Sequence, residues 1–179
     1  DEILEPTPFQ RNANLSDIYG ADVYLKREDL QIVRSYKIRG AYNKIRSIAP
    51  ETLKYGIVCA SAGNHAQGVA FSCNKLQIMG SIYMPTTTPK QKIEQVKMFG
   101  KDYIDSVLTG DTFDAANAAA IEYAKKSGKT FIPPFDDEKI IEGQGTIGYE
   151  IEQQAKKMPD YIFVPIGGGG LASGLGSYF

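Results

Sequence analysis

Histidine occurs once in this chain and cysteine twice, and no apolar run approaches the ~18 residues of a membrane span. One histidine and two scattered cysteines give no cluster with metal-ligand spacing, so no metal centre is expected. Cys59 and Cys73 lie in apolar patterns, GIVCA and VAFSC, which suits buried free thiols in a reducing compartment rather than a disulfide. Neither sign of charge is in excess: 20 basic residues stand against 21 acidic, a net charge of -1. That excludes the broad field with which a protein gathers nucleic acid or an anionic membrane. No signal-like segment opens the sequence, and no repeat, low-complexity tract or Gly/Ser linker interrupts it. A cytoplasmic location is the expectation.

What remains is an ordinary globular composition, 42% hydrophobic and 23% charged over 179 residues. Short β-branched runs alternate with helical patterns. Strands are expected at 22–26, 56–61, 80–85, 103–108, 130–134 and 161–166. Helices are expected at about 37–48, 65–76, 88–99, 111–127 and 138–157, the fourth capped by Asp111 and closed by Gly128. This alternation predicts an α/β fold with parallel sheet covered by helices on both faces. After the last expected strand comes GGGGLASGLGSYF, a glycine loop and a helix just begun, which needs a further strand to complete its unit. Asp1 is not an initiator methionine. The sequence therefore reads as a portion of a longer protein.

Two turns at expected strand ends suit anions. In SAGNHAQG (Ser61–Gly68) a strand runs into Gly63 and Asn64, and a helix begins near His65; unpaired N–H groups at a helix start point outward. An ordinary capped βα turn is the competing account. In IGGGGLASG (Ile166–Gly174), four consecutive glycines cost much backbone entropy. They make sense where several N–H groups converge on a phosphate. The dinucleotide fingerprint fits only loosely, because Ser173 stands where its third glycine belongs.

The stretch VRSYKIRGAYNK (Val33–Lys44) holds a lysine at a helix start. Ile38, Ala41, Ile45 and Ile48 recur at helical spacing, and Ser35 is an apt cap. A cation there opposes the helix dipole, a penalty of roughly 0.3–1 kcal/mol. An amine so placed is held less firmly in its charged form, and a neutral amine is both a nucleophile toward carbonyls and a base toward C–H bonds. Lys37 is thus a candidate for Schiff-base chemistry. His65 sits where protonation is disfavoured, so a turn-stabilising or carboxylate-loop role suits it better than that of a base. The charges of KRED (Lys26–Asp29) suit structural ion pairs, Glu94, Lys97, Lys125 and Lys126 suit solvated helix faces, and Met79 and Met84 suit the core.

LKREDLQIVRSYKIRGA (Leu25–Ala41), CASAGNHAQGVA (Cys59–Ala70) and VPIGGGGLASG (Val164–Gly174), in this order and spacing, closely resemble threonine dehydratases (threonine ammonia-lyases). These belong to the tryptophan-synthase-β-like, fold type II enzymes that use pyridoxal 5'-phosphate. EPTPF (Glu5–Phe9), MPTTTPKQKIEQVKMFG (Met84–Gly100) and PFDDEKIIEGQGTIGYEI (Pro134–Ile151) extend the likeness over nearly the whole chain. The resemblance implies that Lys37 carries the cofactor, that Gly167, Gly168, Gly169 and Gly170 bind its phosphate, and that Asn64 bonds its ring hydroxyl. The turn Ser61, Ala62, Gly63, Asn64 and His65 would hold the substrate carboxylate. Tyr36 departs from the phenylalanine usual beside the lysine, and the family's partner for the pyridine nitrogen lies beyond this sequence.

The same resemblance implies a division of the chain. Residues 1–49 and 139–179 would belong to a large cofactor domain and 50–138 to a small α/β domain, with the active site in the crevice between them. It implies β-elimination from L-threonine, and more slowly from L-serine, to 2-oxo acids and ammonia, by a homo-oligomer of the full-length enzyme. Alternatives within the fold are a serine dehydratase, a serine racemase or a cysteine synthase; SAGNH differs from the TSGNT-type loop of the last. In related racemases the residue after the loop's first serine is itself a serine, and here it is Ala62. An alternative of another class is a nucleotide-binding module using the GGGG loop.

Overall fold

The computed structural model describes residues 5–179, so the expected first segment, 1–49, begins on four residues outside the described part. Strands β1 (Phe9–Arg11) and β2 (Tyr24–Lys26) pair antiparallel around helix α1 (Ala13–Tyr19). Then follow α2 (Lys37–Arg46), α3 (Pro50–Leu53), β3 (Ile57–Ala60), α4 (Asn64–Leu76), β4 (Gly80–Met84), α5 (Lys90–Gly100) and β5 (Ile104–Leu108). The chain continues through α6 (Phe113–Ser127), β6 (Thr130–Phe131), α7 (Glu138–Gln154) and α8 (Gly170–Tyr178). Strands β3 to β6 form a parallel sheet in the order β5-β4-β3-β6.

The sheet is covered on both faces, as its uninterrupted apolar strands require. Ile57 and Cys59 of β3, with Ile82 and Met84 of β4, face a cluster completed by Ala66, Val69, Ala70 and Cys73 of α4 and Val96 of α5. Val58, Ala60 and Tyr83 point the other way, onto Ala120 and Ala124 of α6. Cys59 and Cys73 are buried free thiols, and burial raises both their pKa values, that of Cys73 to about 12. From β3 the chain runs to one side through β4 and β5, then crosses back through α6 to β6 on the other side of β3. The carboxyl end of β3 is therefore a switch point of the kind that leaves a crevice for ligands.

Helix α2 tolerates a lysine at its first position because burial outweighs the dipole. Ile38 and Ile45 are fully buried, together about 3–6 kcal/mol of apolar burial, against at most ~1 kcal/mol for the misplaced cation. Just inside the helix, Arg39 anchors it to α7: its guanidinium donates to Glu150 at 2.5 and 3.0 Å and to Glu28 at 2.8 Å. Lys26 Nζ reaches the same Glu150 carboxylate at 2.5 Å, and the Thr7 backbone N–H donates to it at 3.2 Å. So Lys26 and Glu28 of the KRED stretch serve a structural network, while Arg27 and Asp29 pair with each other toward solvent.

Several local expectations need correction. The run 161–166 is not a strand: no strand among the described residues pairs with it, and Tyr161, Phe163 and Ile166 stand 81%, 95% and 76% exposed. Its strand-like composition lacks a neighbour to bond to. The cap of α6 is Thr112, whose hydroxyl accepts from Ala115 N–H, whereas Asp111 accepts from the Thr86 hydroxyl instead. Met84 is fully buried but Met79 is exposed, at the turn before β4. The helix expected over 138–157 ends at Gln154.

Candidate active site

Lys37 is the first residue of α2; the N-cap position is Tyr36, not the expected Ser35, and no side chain caps the helix, although Ser35 Oγ accepts from the Lys37 backbone N–H at 3.2 Å. Its side chain is half-buried. The ammonium donates to the Pro134 carbonyl at 2.7 Å and lies 5.9 and 5.8 Å from the ring centres of Tyr36 and Phe135. Burial lowers the lysine pKa, since the charged form loses water and gains no carboxylate in return.

Helix α4 begins where β3 ends and packs against α2. A methyl group added at Gly68 would lie 3.0 Å from Ile38 Cα and 3.3 Å from the Lys37 carbonyl carbon, so only glycine allows this approach. The Ser61–His65 turn, with α4 starting at Asn64, thus sits about one helical turn from the lysine backbone. Asn64 is exposed, and Ser61, Ala62 and Gly63 are half-buried, with Ser61 Oγ accepting from Gly63 N–H at 3.2 Å. His65 is buried and donates through Nε2 to the Ile132 carbonyl at 3.0 Å. Burial above all pushes its pKa down to about 4, so it is a neutral tether rather than a base. Ile132 and Pro134 lie two residues apart beyond β6, on one side of an extended segment. Their carbonyls tie that segment to α4 and α2 in turn.

The glycine loop leads into α8. Gly169, at φ 89°, is the residue before the helix and adopts a left-handed conformation open to glycine at little cost. A methyl group on Gly168 would fall 2.4 Å from the Phe135 ring. Gly167 and Gly168 are exposed, and the first N–H groups of α8 have the unpaired donors to which an anion binds.

Helix α7 holds the lysine helix and the glycine helix at a fixed separation. A methyl on Gly143 would lie 2.6 Å from Gly40 Cα of α2, and one on Gly145 would lie 3.1 Å from the Gly174 carbonyl of α8. Gln144, between them, is 1% exposed. Tyr36, Lys37, Pro134, Phe135, Gln144, Pro165, Gly167–Gly170 and Leu171 line one small pocket. The structure therefore brings Lys37 and the four glycines together. The Ser61–His65 turn does not line that pocket. Sequence reasoning missed Pro134, Phe135 and Gln144. The signal was present in EGQGTIG: three glycines inside a helix, each costing roughly 0.8–1 kcal/mol against alanine, mark close approach of neighbouring backbones.

The donor set suits pyridoxal phosphate: a half-buried amine with lowered pKa, and a glycine-rich helix start able to take a phosphate. Free space among the lining side chains is about 10 Å³, enough for one water. To admit a ring, the exposed glycine loop and the Phe135 ring must part.

The chain matches the model of the pyridoxal-phosphate dependent enzyme family over residues 1–179. It is 59% identical over 177 residues to the biosynthetic L-threonine dehydratase of Halalkalibacterium halodurans and 53% identical to that of Bacillus subtilis. In both cases 99% of this chain is covered, and it spans 43% and 42% of those relatives' lengths. Among solved structures, the processed form of threonine deaminase isoform 2 from Solanum lycopersicum superposes with a TM-score of 0.95 at 47% identity, covering 99% of this chain and 48% of that one. Maize serine racemase superposes with a TM-score of 0.92 at 30% identity, covering 99% and 53%.

Proposed function

This chain belongs to the pyridoxal-phosphate dependent enzyme family, and from that premise we propose that the full protein converts L-threonine to 2-oxobutanoate and ammonia. The observation that carries the reading is the meeting of a half-buried, carboxylate-free lysine with the glycine loop at the start of α8. Support comes from relatives named as threonine dehydratases at more than 50% identity. Residues 50–138 serve as a small domain over the substrate, and 1–49 with 139–179 as part of a larger cofactor domain. The full chain acts as a homo-oligomer in the cytoplasm, where the two free thiols stay reduced. No described helix is long and apolar enough to cross a membrane.

The residues take the following roles. Lys37 holds the cofactor, Gly167 to Gly170 and the first turn of α8 bind its phosphate, and Asn64 bonds its ring hydroxyl. When bound, the cofactor supplies the carbonyl that captures the substrate amine and the conjugated system that spreads charge from Cα. Ser61, Ala62, Gly63, Asn64 and His65 form the turn that receives the substrate carboxylate, at the start of α4 where unpaired N–H groups favour an anion. Lys37, once free, takes the Cα proton; its lowered pKa keeps a larger neutral fraction available as base. The β-hydroxyl then leaves as water, and hydrolysis of the released enamine's imine tautomer returns one water, so the net products are 2-oxobutanoate and ammonia. Ala62 can neither give nor take a proton, which favours elimination over racemisation.

Borohydride reduction of the full-length holoprotein, followed by peptide mapping, tests the assignment together with a 2-oxobutanoate assay. The pyridoxyl group is expected on Lys37. A label on another lysine, or no turnover of threonine by cofactor-loaded enzyme, overturns the reading.

A further inference from the structure

Residues 132–136 join the sheet to α7, and they include Pro133 and Pro134. A proline has no N–H, so this part of the segment can be held through its carbonyls but not through its own donors. At the near end, Ile132 N–H makes the last bond to the sheet, at 2.8 Å from the Val58 carbonyl. At the far end, Asp137 caps α7 and pairs with Lys44 of α2. Between the two, two side-chain hydrogen bonds among the described residues hold the segment. His65 Nε2 donates to Ile132 O at 3.0 Å, and Lys37 Nζ donates to Pro134 O at 2.7 Å. The second of these must break in use, because an amine that takes up a cofactor or a substrate proton cannot stay on Pro134. The first need not. His65 is 4% exposed and neutral, and no proton transfer described above passes through it.

We infer that His65 is a positioning residue for Lys37: by holding the Ile132 carbonyl it keeps the Pro134 carbonyl, two residues on, in place as the docking point of the free amine. The fixed φ of both prolines makes the stretch between the two carbonyls stiff, so a hold on one places the other. While the lysine is away, His65 keeps its docking point where the amine will need it again. A carbonyl suits the task, since it accepts a hydrogen bond without the charge by which a carboxylate would keep the lysine protonated. The charged and titratable groups nearby leave that balance alone. His65 on α4 is neutral above about pH 4, Arg39 on α2 is engaged by Glu28 and Glu150, and burial raises the Tyr36 phenol. Burial is also the one cause that lowers the pKa of Lys37 itself.

The inference rests on Lys37 as the reactive amine but is tested without cofactor, so either can fail alone. Full-length enzyme stripped of cofactor is labelled with a trace of acetic anhydride across pH 6–11 (a range of about that width brackets the ordinary lysine value), and the Lys37 peptide is quantified by mass spectrometry. His65→Leu removes the donor to Ile132 O, and position 65 does not line the pocket that holds the amine. The ammonium then loses its acceptor while staying buried, so the midpoint of Lys37 labelling should fall by about half a unit or more. His65→Gln keeps an N–H donor at similar reach and should restore the wild-type midpoint. A merely structural role predicts the opposite sign, because a loosened site admits water and lets the midpoint rise toward the ordinary lysine value. An unchanged or raised midpoint in His65→Leu, or the same fall in His65→Gln, overturns the proposal. Should His65→Leu fail to fold, His65→Asn, polar but shorter than the imidazole, decides alone: a fall supports the proposal, and no fall or a rise refutes it.

Discussion

Replacing Glu150 by glutamine tests how firmly α2 is held. The carboxylate accepts from both terminal nitrogens of Arg39, from Lys26 Nζ and from Thr7 N–H, and its side chain is 9% exposed with Arg39 at 3%. A glutamine keeps the volume but turns an NH2 donor toward two cations and removes the charge they share. Breaking a buried pair from one side costs about 3–5 kcal/mol. Glu28 still holds Arg39 and Gln154 still holds Lys26, so a loss at or below the low end of that range, about 2–3 kcal/mol, is the expectation. Burial works against the charged form of Glu150, yet hydrogen bonds from Arg39 and Lys26 outweigh it and hold its pKa below the usual glutamate value. A carboxyl group depressed on folding stabilises fully above its unfolded pKa and stops doing so as pH falls through the lower folded value. Wild type should therefore lose stability below the ordinary glutamate range, and Glu150→Gln should flatten that limb. Urea unfolding of both proteins at neutral pH and at pH 4 (roughly the unfolded glutamate pKa) reads both effects. A loss at neutral pH below about 0.5 kcal/mol, the level of a solvent-screened surface pair, would falsify the claim that this network fixes α2.

Other changes should act at single, named places. Gly168→Ala puts a methyl 2.4 Å from the Phe135 ring; cofactor affinity, read by absorbance titration of stripped full-length enzyme, should fall at least about tenfold, roughly 1.4 kcal/mol. Gly143→Ala drives α7 off Gly40 and should lower the melting temperature, by an overpacking cost of about 1–3 kcal/mol; an unchanged melt would mean that α2 and α7 have slack. His65, pushed down to about 4, binds its proton more weakly folded than unfolded. Stability should thus decline as pH drops from about 6.5 toward 4, by up to about 1.4 kcal/mol per unit, and His65→Gln should remove that slope in urea midpoints. Because Ala62 offers no second-face acid, recovered L-serine from an assay in deuterated water should contain no D-isomer; substantial D-serine would restore the racemase reading.

The sequence was most readable where one local rule decided the outcome. Alternating β-branched runs and helical patterns gave the parallel sheet because strands buried on both faces have a distinctive, continuous apolar composition, as in Ile57–Ala60. Lys37 stood out because a cation at a helix start violates a local preference, and such violations gather at functional sites. The glycine loop stood out for the same reason. The run 161–166 misled because composition reports only that a strand would be stable if bonded; it says nothing of whether a neighbour is present. Asp111 and Thr112 are both good caps, and the choice fell to a tertiary contact, the Thr86 hydroxyl that engages Asp111.

What lay beyond sequence reasoning was pairing at a distance. Glu150 lies 111 positions from Arg39, and Gln144 lies 107 from Lys37. Nothing local marks either acidic or amide side chain as buried. Their burial follows from the glycines around them: Gly143 brings α7 onto α2, Gly145 brings it onto α8, and the intervening Gln144 is left facing the pocket. One helix thus sets the distance between the lysine helix and the glycine loop, and carries both the carboxylate that anchors the lysine helix and a buried amide that lines the same pocket as Lys37. A methyl group at either glycine changes that distance by moving a whole helix. The geometry of the pocket is thus held by backbone contacts of α7 with its two neighbours, which accounts for the entropic cost of glycine within that helix.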